Sequence, residues 1–357
     1  MKNKILIVVL LLIIGFSFWF LLKEKPIEQV NVPEEKTIEI INNSVKEEDE
    51  EKTIFVSYPS LGIEEIDKEI KDFVETQISQ FKELEYVSFS AGPYSLDIGY
   101  FLTRYNNDII SFKFNVSEYT GGAHGNHYVN CFTYNFKEKK KMSLGDFFNS
   151  DSYLEKISNY SINDLMKDEY AVEEWINDGA GPKIENFERF VITENAFVFY
   201  FPPYHVAPYA AGEKQTIILF NELKDYLNDN IFGNYDFSTN KGIYVLSPVK
   251  GEIIEESPAI QGDLKYFLRV EGYLNGDNWA PFEAVGGRVE LLDENNNILA
   301  SSTLEITEYW MKTPVYFRSY LFFNTNGAKK GNLVFYNDNA SGLEENERSF
   351  SLPVNFK

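Results

Sequence analysis

Ile5 to Leu22 form 18 consecutive residues without a charge, ILIVVLLLIIGFSFWFLL, and nothing else in the sequence constrains the chain as strongly. As a helix this run reaches about 27 Å, close to the hydrocarbon thickness of a bilayer. Lys2 and Lys4 precede it, and Lys23, Glu24 and Lys25 follow. A short basic N-terminus stays on the cytoplasmic side, so the expected topology leaves Met1 to Lys4 inside and everything after Lys23 outside. The run is longer than the usual apolar region of a cleaved signal peptide, no A-x-A-like site follows it, and no Cys stands at its end for lipid attachment. Residues 1–24 therefore read as a cytoplasmic stub and a signal anchor, a single N-terminal transmembrane helix. The expected localisation is the cell membrane, single-pass, with the bulk of the chain extracytoplasmic.

Charge narrows the partners. The 357 residues include 33 Lys and Arg against 55 Asp and Glu, a net charge of −22. Phosphate binding needs clustered cations, so nucleic acid is excluded, and adhesion to an anionic lipid surface is disfavoured. Cys131 is the single cysteine, so no intramolecular disulfide forms, and one thiol with three histidines cannot build a Cys-rich zinc module. Residues 34–52 hold eight acidic and three basic side chains with few large apolar ones. Such composition does not offset its chain entropy, and residues 25–52 read as an acidic linker, a solvated tether.

From Thr53 the periodicity is that of a folded domain. TIFVSYP alternates like a strand; then Ile63, Ile66, Ile70, Phe73, Val74, Ile78 and Phe81 recur at three- and four-residue steps, one face of a helix. From Tyr86 to Phe136 the period returns to two, with Asn106-Asn107-Asp108 as a turn, so a meander of antiparallel strands is expected against that helix. A second helical region is expected over 151–177, broken by the loop Asp178 to Pro182. Two strands, RFVITENAFVFYF and KQTIILF, flank a Pro- and Tyr-rich loop, and NELKDYL closes the unit. The expected architecture for 53–230 is α+β, an antiparallel sheet with packed helices. Residues 242–357 show short alternating runs with turn signals and no long helical pattern, which predicts an all-β immunoglobulin-like sandwich.

Two loops hold the candidate site. Glu118 to Tyr128, EYTGGAHGNHY, carries Tyr119, His124 and His127, and Gly121 and Gly122 permit positive φ, so this is a special turn at a strand end. Phe201 to Gly212, FPPYHVAPYAAG, carries Tyr204, His205 and Tyr209 between prolines; rigid Tyr side chains offer large contact area at low entropic cost, which suits recognition of sugars or proteins, and a buried crossover whose aromatics fill the core is an equal alternative. The candidate ligand-binding residues are therefore Tyr119, Gly121, Gly122, His124, Tyr204, His205 and Tyr209. His124, His127 and His205 with nearby Glu118 are also ligand types suited to Zn²⁺, although no H-E-x-x-H is present. A structural role for His124, donating to a backbone carbonyl and pinning the turn, is the stronger expectation. No nucleophile elbow, phosphate loop or dinucleotide fingerprint occurs, and the many carboxylates do not single out an acid/base pair.

YTGGAHGN, followed by YNF, MSLGDFF and PYHVAPYAAG, resembles the extracytoplasmic region shared by the lysozyme-sensing anti-sigma protein RsiV and the N-terminal part of the peptidoglycan deacetylase PdaC, over about residues 53–228. The resemblance implies an outward-facing envelope-binding module; family members typically carry an acidic residue in the loop where this chain has His205. Residues 242–357 resemble the immunoglobulin-like Gmad2 domain through Leu246-Ser247-Pro248, Ser257-Pro258, Phe282-Glu283-Ala284, Trp310-Met311, Asn337-Asp338-Asn339, Ser341-Gly342-Leu343-Glu344 and Pro353-Val354. The run of small residues usual before the Phe282 motif is replaced by Asn275-Gly276-Asp277-Asn278-Trp279. Neither a sigma-factor-binding domain nor a separate deacetylase domain is recognised.

The expected function is thus a membrane-anchored, extracytoplasmic cell-envelope binding protein without catalysis or cofactor, recognising peptidoglycan or a lysozyme-like muramidase. The alternative is a metal-dependent envelope hydrolase or deacetylase using His124, His127 and His205 with Glu118 as base. A third possibility is a structural adhesion protein.

Overall fold

The acidic stretch expected to be a tether contains a strand. In the computed structural model, which describes residues 40–357 apart from 88–91, 105, 107, 258–262, 277, 278 and 340, β1 (Ile41–Glu48) pairs antiparallel with β2 (Lys52–Ser60). Asp49 closes the turn by accepting the N–H groups of Glu51 and Lys52. Charge density argued against order here, but an edge strand buries little, and Lys46, Glu47 and Glu48 blunt the exposed edge. The apolar run 5–22 lies outside the described residues; among those described no helix is long and apolar enough to cross a membrane.

Helix α1 (Glu64–Glu83) follows the expected periodicity, with Ile66, Ile70, Val74 and Phe81 buried. Glu64, Glu65 and Asp67 in its first turn suit the positive end of the helix dipole, and Asp67 also accepts from Ser60, Leu61 and Gly62. Because the chain crosses over through α1, β3 (Tyr94–Arg104) returns parallel to β2, in a sheet expected to be antiparallel. The meander proper begins there: β4 (Ile109–Tyr119), β5 (Asn126–Asn135) and β6 (Lys140–Met142) add antiparallel, completing a six-stranded sheet in chain order. Asn106 shapes the β3–β4 turn by accepting from Asp108 and Ile109.

Register sorts this sheet's side chains. Glu118 lies opposite Asn126 and Ser117 opposite His127. Alternation puts Glu118, Tyr128 and Phe132 on the α1 face, where Tyr128 donates to Gln77 and Phe73 packs edge-on against Phe114 and Phe132. His127, Val129 and Cys131 face the other way.

The helix expected over 151–177 is two helices, α2 (Tyr153–Leu165) and α3 (Glu173–Gly179). The break falls where Asp168 turns inward to pair with Lys214, 2.7 Å away. The segment expected as one strand is a hairpin of β7 (Phe190–Ile192) and β8 (Ala196–Phe201), because the Thr193 hydroxyl accepts the N–H groups of Asn195 and Ala196 and turns the chain. With β9 (Lys214–Leu219) they form a three-stranded antiparallel sheet over a Phe-rich core.

The C-terminal part is β-rich. Strands β10 (Ile243–Ser247), β11 (Ile253–Ile254), β12 (Tyr266–Leu274), β13 (Val285–Asp293), β14 (Ile298–Ile306), β15 (Val315–Phe323), β16 (Lys330–Tyr336) and β17 (Ser349–Phe356) make one eight-stranded sheet in the order β10-β12-β15-β14-β13-β16-β17-β11. β14 meets β15 only at Glu305–Arg318 and Ile306–Phe317, and residues from both sides of that junction share one core, among them Val270, Leu291, Phe317 and Phe335. The fold as a whole is mixed α+β.

The described residues from 40 onward are one compact unit, because part of the outer face of β12 and β15 is buried on the sheets before it. Tyr244, Tyr273 and Tyr316 pack with Phe101, Val129, Val198 and Tyr200. Charges are buried there too. Lys113, fully enclosed, lies 2.5 Å from Glu213 and 4.0 Å from the centre of the Tyr200 ring, and Lys312 bridges Asp164 on α2 (2.5 Å) and Glu308 (3.0 Å).

Candidate functional site

The β4–β5 hairpin and the loop between β8 and β9 meet, a contact their separation in sequence leaves open. In the first loop Gly121 and Gly122 take φ of 86° and 105°, the positive values expected of them, and the Tyr119 hydroxyl donates to the Gly122 carbonyl at 3.3 Å. The His124 Nδ1 lies 3.0 Å from the Gly125 carbonyl oxygen, which can only accept, so the imidazole pins the turn as expected.

The second loop is stiffened by its prolines and by two local bonds, Tyr204 N–H to Ala207 O and His205 N–H to Pro202 O, both 3.0 Å. Tyr204 sits at φ 70° and is exposed. Tyr209 reaches across, its hydroxyl donating to the same Gly125 carbonyl at 2.5 Å, so one oxygen uses both lone pairs to hold the two loops. The ring of His124 stacks on Tyr209 with centroids 3.9 Å apart and planes 22° apart. His127 lies 6.5 Å from Tyr209 at 27°, and Tyr204 lies 5.5 Å away at 35°. Four aromatic side chains therefore share one surface, with His124, His127 and Tyr204 exposed and Tyr209 half-buried between them.

His205 leaves this group. Its ring packs beside Phe201, and its backbone oxygen presses against Gly179 at the end of α3, where a Cβ would collide with it. Burial, with Arg189 nearby, lowers the imidazole pKa below its ordinary value despite the Gly179 carbonyl and Asp178, and Nε2 is buried without a protein hydrogen-bond partner. Glu118 points to the α1 face, and burial raises its carboxyl pKa. The set His124, His127 and His205 with Glu118 as base thus does not assemble, and among the described residues no three His, Cys, Asp or Glu groups lie close enough to hold a metal ion. Strand parity separates Glu118 from His127, which lies opposite Ser117 on the other face, and packing of the second loop on Gly179 takes His205 away from both.

Sequence reasoning missed the layer beneath. Lys113 alternates with Phe112 and Phe114 on the face opposite α1, and its partner Glu213 directly follows Gly212, so the ion pair underlies the end of the Tyr209 loop. The lone charge in ISFKFNV was the available signal. Cys131 lies opposite Lys113, and burial pushes its thiol up to about 12. A separate cleft of about 460 Å³ between β1 and α1, lined by Val45, Tyr58, Val74, Ile78 and Lys82 among others, lies on the helix side of the sheet.

The family described as Deacetylase PdaC matches residues 28–127, and the family described as Protein of unknown function (DUF3298) matches residues 145–221. The chain carries a PdaC-like region. The first match contains Tyr119 and His124 and the second contains Tyr204 and Tyr209, so the aromatic surface forms where the two regions touch. Peptidoglycan-N-acetylmuramic acid deacetylase PdaC of Bacillus subtilis (strain 168) is 33% identical over 205 residues, 56% of this chain and 43% of that protein, so the chain spans less than half the length of this relative. Among solved structures, a DUF3298 family member from Bacteroides fragilis NCTC 9343 aligns with a TM-score of 0.41 at 21% identity, and one from Pseudomonas aeruginosa PAO1 with 0.40 at 11%; each alignment covers 55% of this chain and 97% of the other.

Proposed function

We propose that this chain is a membrane-anchored, extracytoplasmic cell-envelope binding protein, without catalysis of its own, that recognises the glycan strand of peptidoglycan through the His124–Tyr209 surface. One observation carries the reading: aromatic rings from two loops, exposed His124 and half-buried Tyr209, are locked together by a shared carbonyl. Such rings are held at low entropic cost, and the apolar C–H face of a pyranose is attracted to an aromatic π-face. The relative from Bacillus subtilis is named for an activity on peptidoglycan, and the PdaC-like match supports a cell-wall role here. A deacetylase or hydrolase reading is less favoured because its expected ligand set does not converge. In this reading residues 5–22 are the signal anchor, and residues 242–357 are an immunoglobulin-like module of Gmad2 type. The net charge of −22 favours a second reading, in which a basic lysozyme-like enzyme is the ligand, as for RsiV-type sensors.

The test is co-sedimentation with purified sacculi. Saturable pelleting that falls on His124→Ala or Tyr209→Ala supports the wall reading. No pelleting above background, with binding to lysozyme whose on-rate drops steeply with salt, replaces it by the second.

A further inference from the structure

The first sheet carries, on the face opposite α1, residues that strand formation does not favour. β3 and β4 are interior strands of the order β1-β2-β3-β4-β5-β6, where β-branched and aromatic side chains are the usual choice. Yet Asp97 stands opposite Ser117 and Ser117 opposite His127, and in the next row Gly99 stands opposite Asn115 and Asn115 opposite Val129. Cross-strand partners share a face, so both rows lie on the side of His127, with neighbours in a row about 5 Å apart. The rows adjoin the aromatic surface. His127 is 6.5 Å from Tyr209, and Tyr119, opposite Ser95, lies one row further along the same face.

Folding leaves these polar groups unused. Asp97, Asn115 and Ser117 are half-buried and His127 is exposed, and among the described residues none of the four makes a side-chain hydrogen bond or ion pair. Burial raises the Asp97 carboxyl pKa above its ordinary value, and no cation stands near enough to lower it. Gly99 is exposed, and no other part of the protein comes within 4 Å of the position a Cβ would take. A glycine inside a strand often marks a bulge or the close approach of another group. The pairing of β3 with β4 runs from Ser95 to Arg104 without a shift, so there is no bulge, and the approach of a ligand is the remaining reason. Interior positions that break local preference without a packing gain are expected at functional sites.

The order within the row limits its chemistry. Ser117 stands between Asp97 and His127, so the carboxylate does not reach the imidazole to orient it, and the row suits binding rather than cleavage. Rings beside polar side chains match the two aspects of a pyranose: its C–H face stacks, and its hydroxyl and acetamido groups bond at the edge. Asp97 is the one charged side chain in the two rows. Ionised, it only accepts, so it suits a hydroxyl or amide N–H and repels a carboxylate.

We infer that Asp97, Asn115, Ser117 and His127, around the open floor at Gly99, form the polar half of the glycan site and take the neutral N-acetylglucosamine unit rather than the acidic muramyl-peptide unit. The inference rests on the peptidoglycan reading above and deepens it: the rings of His124 and Tyr209 stack the sugar, and the sheet face selects which sugar.

The experiment is calorimetric titration of the full chain in a polyoxyethylene detergent, which presents no sugar, with two soluble probes: neutral chitotetraose and a disaccharide-peptide released from sacculi. The native chain is expected to bind chitotetraose the more tightly. Gly99→Val places a strand-favouring residue in open space, so the urea midpoint is expected to hold or rise while chitotetraose binding weakens about tenfold. Asp97→Asn keeps the shape and loses the charged acceptor, and is expected to weaken chitotetraose about tenfold and to narrow the preference between probes. If both variants bind chitotetraose as the native chain does while Tyr209→Ala weakens it, the inference is overturned and the loop reading stands. A native preference for the disaccharide-peptide overturns the assignment to the neutral unit. If the native chain neither binds either probe nor pellets with sacculi, both readings fail, and loss of lysozyme binding in Asp97→Asn then gives the row to a basic protein.

Discussion

The imidazole of His124 lies face to face with the ring of Tyr209 at 3.9 Å, and both side chains point a donor at the carbonyl of Gly125. The stack and the shared acceptor are separable contributions. Tyr209→Phe keeps the ring and loses the hydroxyl, so it should cost about 1 kcal/mol of stability and leave sacculus binding within a few-fold. Tyr209→Ala loses both and should abolish binding at this surface while the protein stays folded. Denaturant unfolding and co-sedimentation read the two effects.

Gly179 permits the Pro/Tyr loop to lie against α3. A Cβ there would fall on the His205 carbonyl oxygen and crowd Val206, neither of which is the end of a flexible side chain. Gly179→Ala should destabilise by about 2 kcal/mol and weaken sacculus binding by moving the loop. Equal urea midpoints for variant and native chain would contradict this contact.

His205 introduces a pH dependence into the same loop. Its folded pKa is depressed, so the stabilisation associated with neutral His205 is present above the ordinary histidine value and is lost as pH falls below about 6.5. Amide exchange in residues 201–212 should therefore speed up between pH 7 and pH 5 once corrected for intrinsic rates. His205→Asn should remove that dependence.

Glu271 predicts a lower window. Burial raises its carboxyl, but Arg269, Lys113 and Arg318 together outweigh burial and hold it down at about 2. A depressed carboxylate contributes stability above its unfolded pKa and loses it as pH falls through the folded value, so the loss runs from about pH 4.5 down to about 2 and amounts to about 3 kcal/mol. Glu271→Gln should flatten that part of the stability curve and lower stability at neutral pH by exposing two guanidinium groups to each other.

Lys113 is the matching cation on the other side of the contact. Lys113→Met leaves Glu213 beneath the loop without its partner and should cost about 3 kcal/mol, with the double variant Lys113→Met/Glu213→Gln recovering part of it. A double-mutant cycle with no coupling between these positions would refute the pairing.

Much of this was legible in the residues. The three- and four-step periodicity from Ile63 to Phe81 marks α1, the alternation from Ile109 onward marks β4 and β5, and the twin glycines mark a turn with positive φ. These features are local, and their cause lies within a few residues of chain. β1 was not legible because its sequence reads as charge; its pairing with β2 supplies the order that composition denies it. The split of 151–177 into α2 and α3 depends on Asp168 finding Lys214, which no periodicity reports.

By itself, then, the sequence determined α1, the strands β3 to β5, and the two loops with their aromatic content. Only the tertiary structure decided which of these residues meet. It brought Tyr209 to His124, turned His205 toward Gly179 and Glu118 toward α1, and buried Lys113 and Glu271 between sheets and Lys312 against α2. The physical reason is that alternation constrains neighbours along a strand, whereas contacts between distant loops follow from crossover geometry and packing, which no local stretch of chain encodes.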